Sequence, residues 1–119
     1  MKQEQKELLL KDLCARLPYG VEVEYNNSIC EVLSIDKDNE ELTVWKSYGY
    51  SPDVKLEEVR PYLFPISSMT EKQKEDMIKS SVGIGSDKNV FDWFNKNHFD
   101  YRGLIPMGLA IDATNKNIY

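Results

Sequence analysis

The chain predicts an α+β fold, and three features of its 119 residues carry that prediction. A helical apolar period runs through residues 2–17, a two-residue period takes over at Val21, and helix-capping chemistry returns at Thr70. The expected arrangement is an N-terminal helix, a small antiparallel sheet of three or four strands, two short helices and an apolar irregular tail. One domain is expected over residues 1–119. Its first part, 1–64, holds the helix and the sheet, and a helical part, 65–119, packs on it. The composition is that of a folded chain, with 41% apolar, 11% aromatic and 29% charged residues.

In the first element, Leu10, Leu13, Cys14 and Leu17 fall at i, i+3, i+4 and i+7, and Leu9 widens the stripe. Lys6, Lys11, Asp12 and Arg16 are assigned to the remaining, polar side. Pro18 and Gly20 stop the helix. Such a helix covers a hydrophobic surface elsewhere in the fold, or else meets a partner. Val21, Val23 and Tyr25 then alternate with Glu22 and Glu24, the pattern of a strand with one wet face. Asn26-Asn27-Ser28 turns the chain, residues 29–35 form a second strand, and residues 36–40 a second turn. In a third strand, 42–46, Leu42 and Val44 face one way and Thr43 and Trp45 the other. A Gly/Pro-containing loop is expected at 48–53, then a short strand at 54–56 and one helical turn at 57–59. This succession suits an SH3-like barrel or a flatter sheet under one helix; the choice depends on bulges and twist.

Thr70-Glu71-Lys72-Gln73 is a capping box, and the helix it opens has only Met77, Ile78 and Val82 as an apolar side, so it belongs on the surface. Residues 83–86 break the chain, and Asp87 caps a helix over 88–98. There Val90, Phe91, Phe94 and His98 share a face with Trp93 at its edge, while Asp92 and Lys96 form an i, i+4 pair. Residues 104–111 read as a packed closing segment.

Composition restricts function. No apolar run approaches the roughly 20 residues of a membrane span. The charged start, Met-Lys-Gln-Glu-Gln-Lys-Glu, is unlike a signal peptide, so a cytoplasmic chain is expected. Cys14 and Cys30 form no Cys-x-x-Cys pair and lie far from the single His98, so no metal set and no cofactor are expected. Both thiols read as small buried hydrophobes. Residues 1–64 carry 8 Lys/Arg against 13 Asp/Glu, a net of −5, while residues 65–119 carry 7 of each. Phosphate backbones are bound by neutralising them with cations, so direct nucleic-acid binding is disfavoured.

Chemistry-bearing patterns are sparse. Gly83-x-Gly85 lacks a third glycine and a preceding strand, and reads as a connector rather than a phosphate loop. His98 is the sole histidine. Asp92 or Asp100 would have to orient it in any catalytic role, with Tyr101 or Arg102 binding an anion; otherwise it closes its helix. No carboxylate pair stands out for glycosidase chemistry. Trp45, Tyr48 and Tyr50 form an aromatic group that anchors a basic or proline-containing peptide, or else Trp45 packs beneath the first helix and the tyrosines cap the core edge.

Three blocks add a resemblance: EQKELLLKDLCARLPYGV near the start, EEVRPYLFPISSMTE in the middle and DWFNKNHFDYRGLI late in the chain. They resemble a group of short uncharacterised proteins of gut bacteria, often found in prophage or mobile-element neighbourhoods. The match is collinear over nearly the whole chain, with residues 22–57 and 79–90 least similar. It implies a cytoplasmic accessory protein and no catalytic residue. The leading expectation is a non-enzymatic module binding another protein. The alternatives are a nucleic-acid-associated protein or acidic DNA-mimic decoy, and an enzyme using His98. A homodimer through exposed strand edges stays open.

Overall fold

A computed structural model describes residues 1–46, 49–83 and 86–119. Helix α1 (Gln3–Arg16) runs into a 3-10 turn at Leu17–Tyr19, where Pro18 occupies the opening positions that need no N–H donor. Gly20, at a φ of 90°, then redirects the chain into the sheet. Four strands follow in meander, β1 (Glu22–Tyr25), β2 (Ser28–Asp36), β3 (Glu41–Lys46) and β4 (Gly49–Lys55), and a fifth, β5 (Arg60–Pro65), crosses back to pair with β1. Their spatial order is β4-β3-β2-β1-β5, each antiparallel to its neighbour. The β1–β2 connection is a two-residue turn in which Asn26 and Asn27 both take positive φ, 49° and 59°. That geometry matches the twist of the strands it joins, and asparagine tolerates it. Register shifts put an extra residue on β2 between Val32 and Ser34 and on β4 between Ser51 and Val54, and these bulges bend the sheet.

Helices α2 (Glu71–Ser80) and α3 (Ser86–Lys96) come next. The α2 cap forms as expected: Gln73 N–H donates to Thr70 Oγ1 at 3.1 Å and Thr70 N–H to Gln73 Oε1 at 2.8 Å. No residue of α2 is buried. Two short strands, β6 (Phe99–Asp100) and β7 (Ile111–Asp112), both pair parallel with β5 and make the sheet mixed.

The main core joins Leu9 and Leu13 of α1 to Val23, Val32, Val44 and Leu63 of the sheet and to Leu104 and Leu109 of the closing segment. A second cluster, Met69, Phe94 and Phe99, is flanked by Phe64, Trp93 and Tyr101. Trp93 stacks on Phe99 with centroids 5.5 Å apart and planes 11° from parallel.

Several expectations are corrected. The loop expected at 48–53 is mostly strand β4. Pro52 is compatible with it because β4, among the described residues, pairs on one side only, with β3. Strand β5 escaped the sequence reading because Pro61 and Pro65 bracket it, yet both lie toward its ends and Tyr62-Leu63-Phe64 form its middle. Asp12 and Arg16 are not on a wet side of α1; both are completely buried. Phe91, expected on the buried face of α3, is 49% exposed, and Asn95 is buried in its stead. Asp92 pairs with Lys88 at 3.0 Å rather than with Lys96. Cys30 is buried, and burial pushes its thiol pKa up, whereas Cys14 is only half-buried.

Candidate functional site

The side chains singled out from sequence fall in three separate places. The first is the outer face of the sheet. Alternation along β1 and β2 sends Val23, Cys30 and Val32 inward, and so sends Glu22, Glu24, Ile29 and Glu31 outward. Register then sets Glu22 opposite Glu31, Glu31 opposite Trp45, and Trp45 opposite Tyr50, one row across four strands. Trp45 is 45% exposed and Tyr50 66%. Trp45 therefore does not pack beneath α1. Tyr48, the third aromatic of the group, lies outside the described residues. Ile29 and Leu33 add exposed apolar surface on β2.

The electrostatics of this row are unrelieved. Glu22 and Glu31 are cross-strand partners of like charge, a destabilising pairing. The Glu22 carboxyl pKa is raised, first by burial and then by the charge of Glu31. Glu24, one pair further along, is neutralised by Arg60 at 2.9 Å. Among the described residues no cation pairs with Glu22 or Glu31.

The second place is His98, just beyond α3. Its backbone is left-handed, with a φ of 65°, and its backbone N–H donates to Asn95 C=O at 3.4 Å. The carboxylates named as candidates to orient its ring are engaged elsewhere. Asp100 accepts from Leu104 and Ile105 N–H, each at 2.9 Å, and Asp92 holds Lys88. The imidazole instead stacks on Tyr119, centroids 3.4 Å apart and planes 8° from parallel. Its Nδ1 is buried with no hydrogen-bond partner. Burial, followed by the charge of Arg16, lowers its pKa to about 4, so the ring is neutral near pH 7. Tyr119 is itself fastened: its hydroxyl accepts from Glu22 N–H at 3.1 Å and donates to Tyr62 C=O at 2.9 Å. Burial of that phenol pushes its pKa to about 12, although the residue as a whole is 44% exposed.

The third place lies where α1 and α3 meet the segment after β6. Arg16 donates to both oxygens of Asp12, at 2.8 and 3.1 Å, and to the carbonyls of Phe99 at 2.7 Å and Phe94 at 3.4 Å. Arg102 Nε donates to Asp12 Oδ1 at 3.1 Å, and Arg102 Nη2 to the Tyr101 hydroxyl at 2.8 Å. That hydroxyl donates to Asn95 Oδ1 at 3.0 Å. The Tyr101 ring also receives both guanidiniums, at 5.4 Å from Arg16 and 4.7 Å from Arg102. A groove of about 380 Å³ opens beside the network, lined by Lys11, Ala15, Phe91, Asn95, Tyr101 and Arg102.

Of the residues predicted from sequence, Trp45 and Tyr50 thus come together, as do Tyr101 and Arg102, while His98 stands apart from both pairs. Glu22 and Glu31 were legible as outward residues but not as neighbours of Trp45, because register is invisible in an isolated strand. Lys11, Phe91 and Asn95 carried no local signal, since their proximity depends on how two helices pack. Among the described residues no three His, Cys, Asp or Glu side chains cluster as a metal site, and no helix is long and apolar enough to cross a membrane. Comparison with protein families, with curated proteins and with solved structures finds no match.

Proposed function

We propose that this protein is a non-enzymatic interaction module that holds a basic segment of another protein on the outer face of its sheet. The observation that carries the proposal is the Trp45–Tyr50 pair, in register on adjacent strands and largely in water. Burying such a side chain is worth roughly 1.5–3 kcal/mol, and Trp and Tyr are the side chains that most often anchor interfaces. The neighbouring acids select the charge of the partner. A Lys or Arg placed over Glu31 relieves its repulsion with Glu22 and lies against the Trp45 ring, whose face also attracts cations.

Topology favours the same reading. The order β4-β3-β2-β1-β5, with a 3-10 turn at Leu56–Glu58 between β4 and β5, supports an SH3-like arrangement. Domains of that shape take proline-containing peptides on aromatic surfaces, an argument by analogy of fold. The resemblance to mobile-element proteins adds the role of a cytoplasmic accessory protein. Pairing through the β4 edge is the less favoured route to a partner or a second copy. Pro52 removes a donor there, and Asp53 turns to a positive φ of 59°.

The test is affinity capture at moderate and high salt with the wild type, Trp45→Ala and Glu31→Lys. The expected result is a partner bearing a basic segment, retained by the wild type, released by salt and lost with either variant. Equal retention by both variants would remove the sheet face from consideration.

A further inference from the structure

The groove between α1 and α3 has a composition that the sheet-face reading does not use. Asp12 is a single carboxylate shared by two guanidiniums, the fully buried Arg16 and the partly exposed Arg102, so the three together carry a net positive charge. Lys11, on the rim, adds another. It has no ion-pair partner among the described residues, although Glu7, one turn earlier, shares an adjoining depression with it and Lys37.

Donor-bearing side chains line the same space. A guanidinium has five N–H donors; Arg102 spends one on Asp12 and one on Tyr101, and its others have no acceptor among the described residues. Asn95 is only 5% exposed, and its amide is oriented by its neighbours. Because Arg102 donates to the Tyr101 hydroxyl, that hydroxyl must donate onward, and it does so to Asn95 Oδ1. The Asn95 Nδ2 donors are left without an acceptor among the described residues, on a side chain that lines the groove. That nitrogen is open to the groove rather than sealed, since among the described residues the one buried side-chain polar atom without a partner is His98 Nδ1, so an acceptor on a ligand would replace water there.

Two aromatic rings line the groove beside these donors. Phe91 is 49% exposed and lies 5.2 Å from the Tyr101 ring, centroid to centroid, at 37°. An inorganic anion would leave that surface wet, and a neutral ring would leave the donors to water. A volume of about 380 Å³ suits a small molecule.

We propose that this groove binds a small aromatic oxyanion, with the charged group among Arg102, Asn95 Nδ2 and Lys11 and the ring against Phe91 and Tyr101. The site is distinct from the sheet face and stands or falls independently of it.

The test is an NMR titration of the full chain with benzoate and with phenyl phosphate, using benzyl alcohol and inorganic phosphate as controls. Saturable shifts at the Asn95 side-chain amide, the Arg102 Nε–H and the Phe91 ring are expected with at least one aromatic anion, which also identifies the preferred oxyanion. Lys11→Met, at an exposed position without an ion pair, keeps the fold and weakens binding by about tenfold, the loss expected for one charge-assisted contact. Phe91→Ala does the same through the ring. Absence of saturation with both aromatic anions would overturn the proposal. So would unchanged affinity in Lys11→Met, or controls that bind as tightly as the aromatic anions.

Discussion

His98 shows how far a side chain's surroundings can move it from the chemistry its type suggests. An imidazole serves as a general base when a carboxylate orients it and its pKa lies near the working pH. Here the ring stacks on Tyr119, has no carboxylate partner among the described residues, and is held neutral down to about pH 4. The folded-state pKa lies below the ordinary value of 6.5, so the contribution to stability is complete above pH 6.5 and is lost as pH falls toward 4. The ring is half-buried, and solvent screening reduces the effect to about 1–2 kcal/mol. His98→Asn keeps a residue that tolerates the left-handed backbone but does not titrate. Urea unfolding at pH 7 and pH 4.5 should show a smaller acid-induced loss for the variant than for the wild type. Equal losses would place the acid sensitivity in other groups.

Among the elements, α1 does two jobs. Leu9 and Leu13 cover the sheet, as the apolar period implied, and Asp12 and Arg16 bind the C-terminal segment through Arg102 and the carbonyls of Phe94 and Phe99. Removing one member of a buried ion pair leaves the remaining charge without compensation, at a cost of about 3–5 kcal/mol. Asp12→Ala would strand Arg16 and Arg102 together, and the urea midpoint should fall accordingly, whereas Glu7→Ala, which breaks no ion pair, should leave it nearly unchanged. The i, i+4 spacing of Asp12 and Arg16 was plain in the sequence. Their burial was not, because it depends on residues more than 75 positions away. The same limit governs the sheet. Alternation correctly set Trp45 away from Leu42 and Val44, but prolines concealed β4 and β5, whose pairing comes from neighbouring strands rather than local preference. Phe91 departs from its expected burial, and Asn95, for which the sequence carried no expectation, is buried with Tyr101 as its hydrogen-bond partner.

At the scale of the whole molecule, the C-terminal segment reads as part of the folded body. Phe94, Phe99, Leu104 and Leu109 are buried, and β6 and β7 hydrogen-bond to β5. Burial of four such side chains is worth roughly 6–12 kcal/mol at 1.5–3 kcal/mol each, which is comparable to the roughly 5–15 kcal/mol that stabilises an entire small domain. Deleting residues 88–119 would also leave β5 with β1 as its one neighbour and expose the buried Asp12–Arg16 pair without Arg102. Surviving strands would still have their alternating apolar face, so the expected product is collapsed but loosely packed, or insoluble. Thermal unfolding followed by near-ultraviolet circular dichroism is the measurement to make, with dye binding as a second readout. The truncated chain should lose its aromatic signal and its cooperative transition while binding the dye. A sharp transition near that of the full chain would instead mean that the sheet and α1 fold alone. The aromatic residues of the C-terminal segment would then be free to serve a partner.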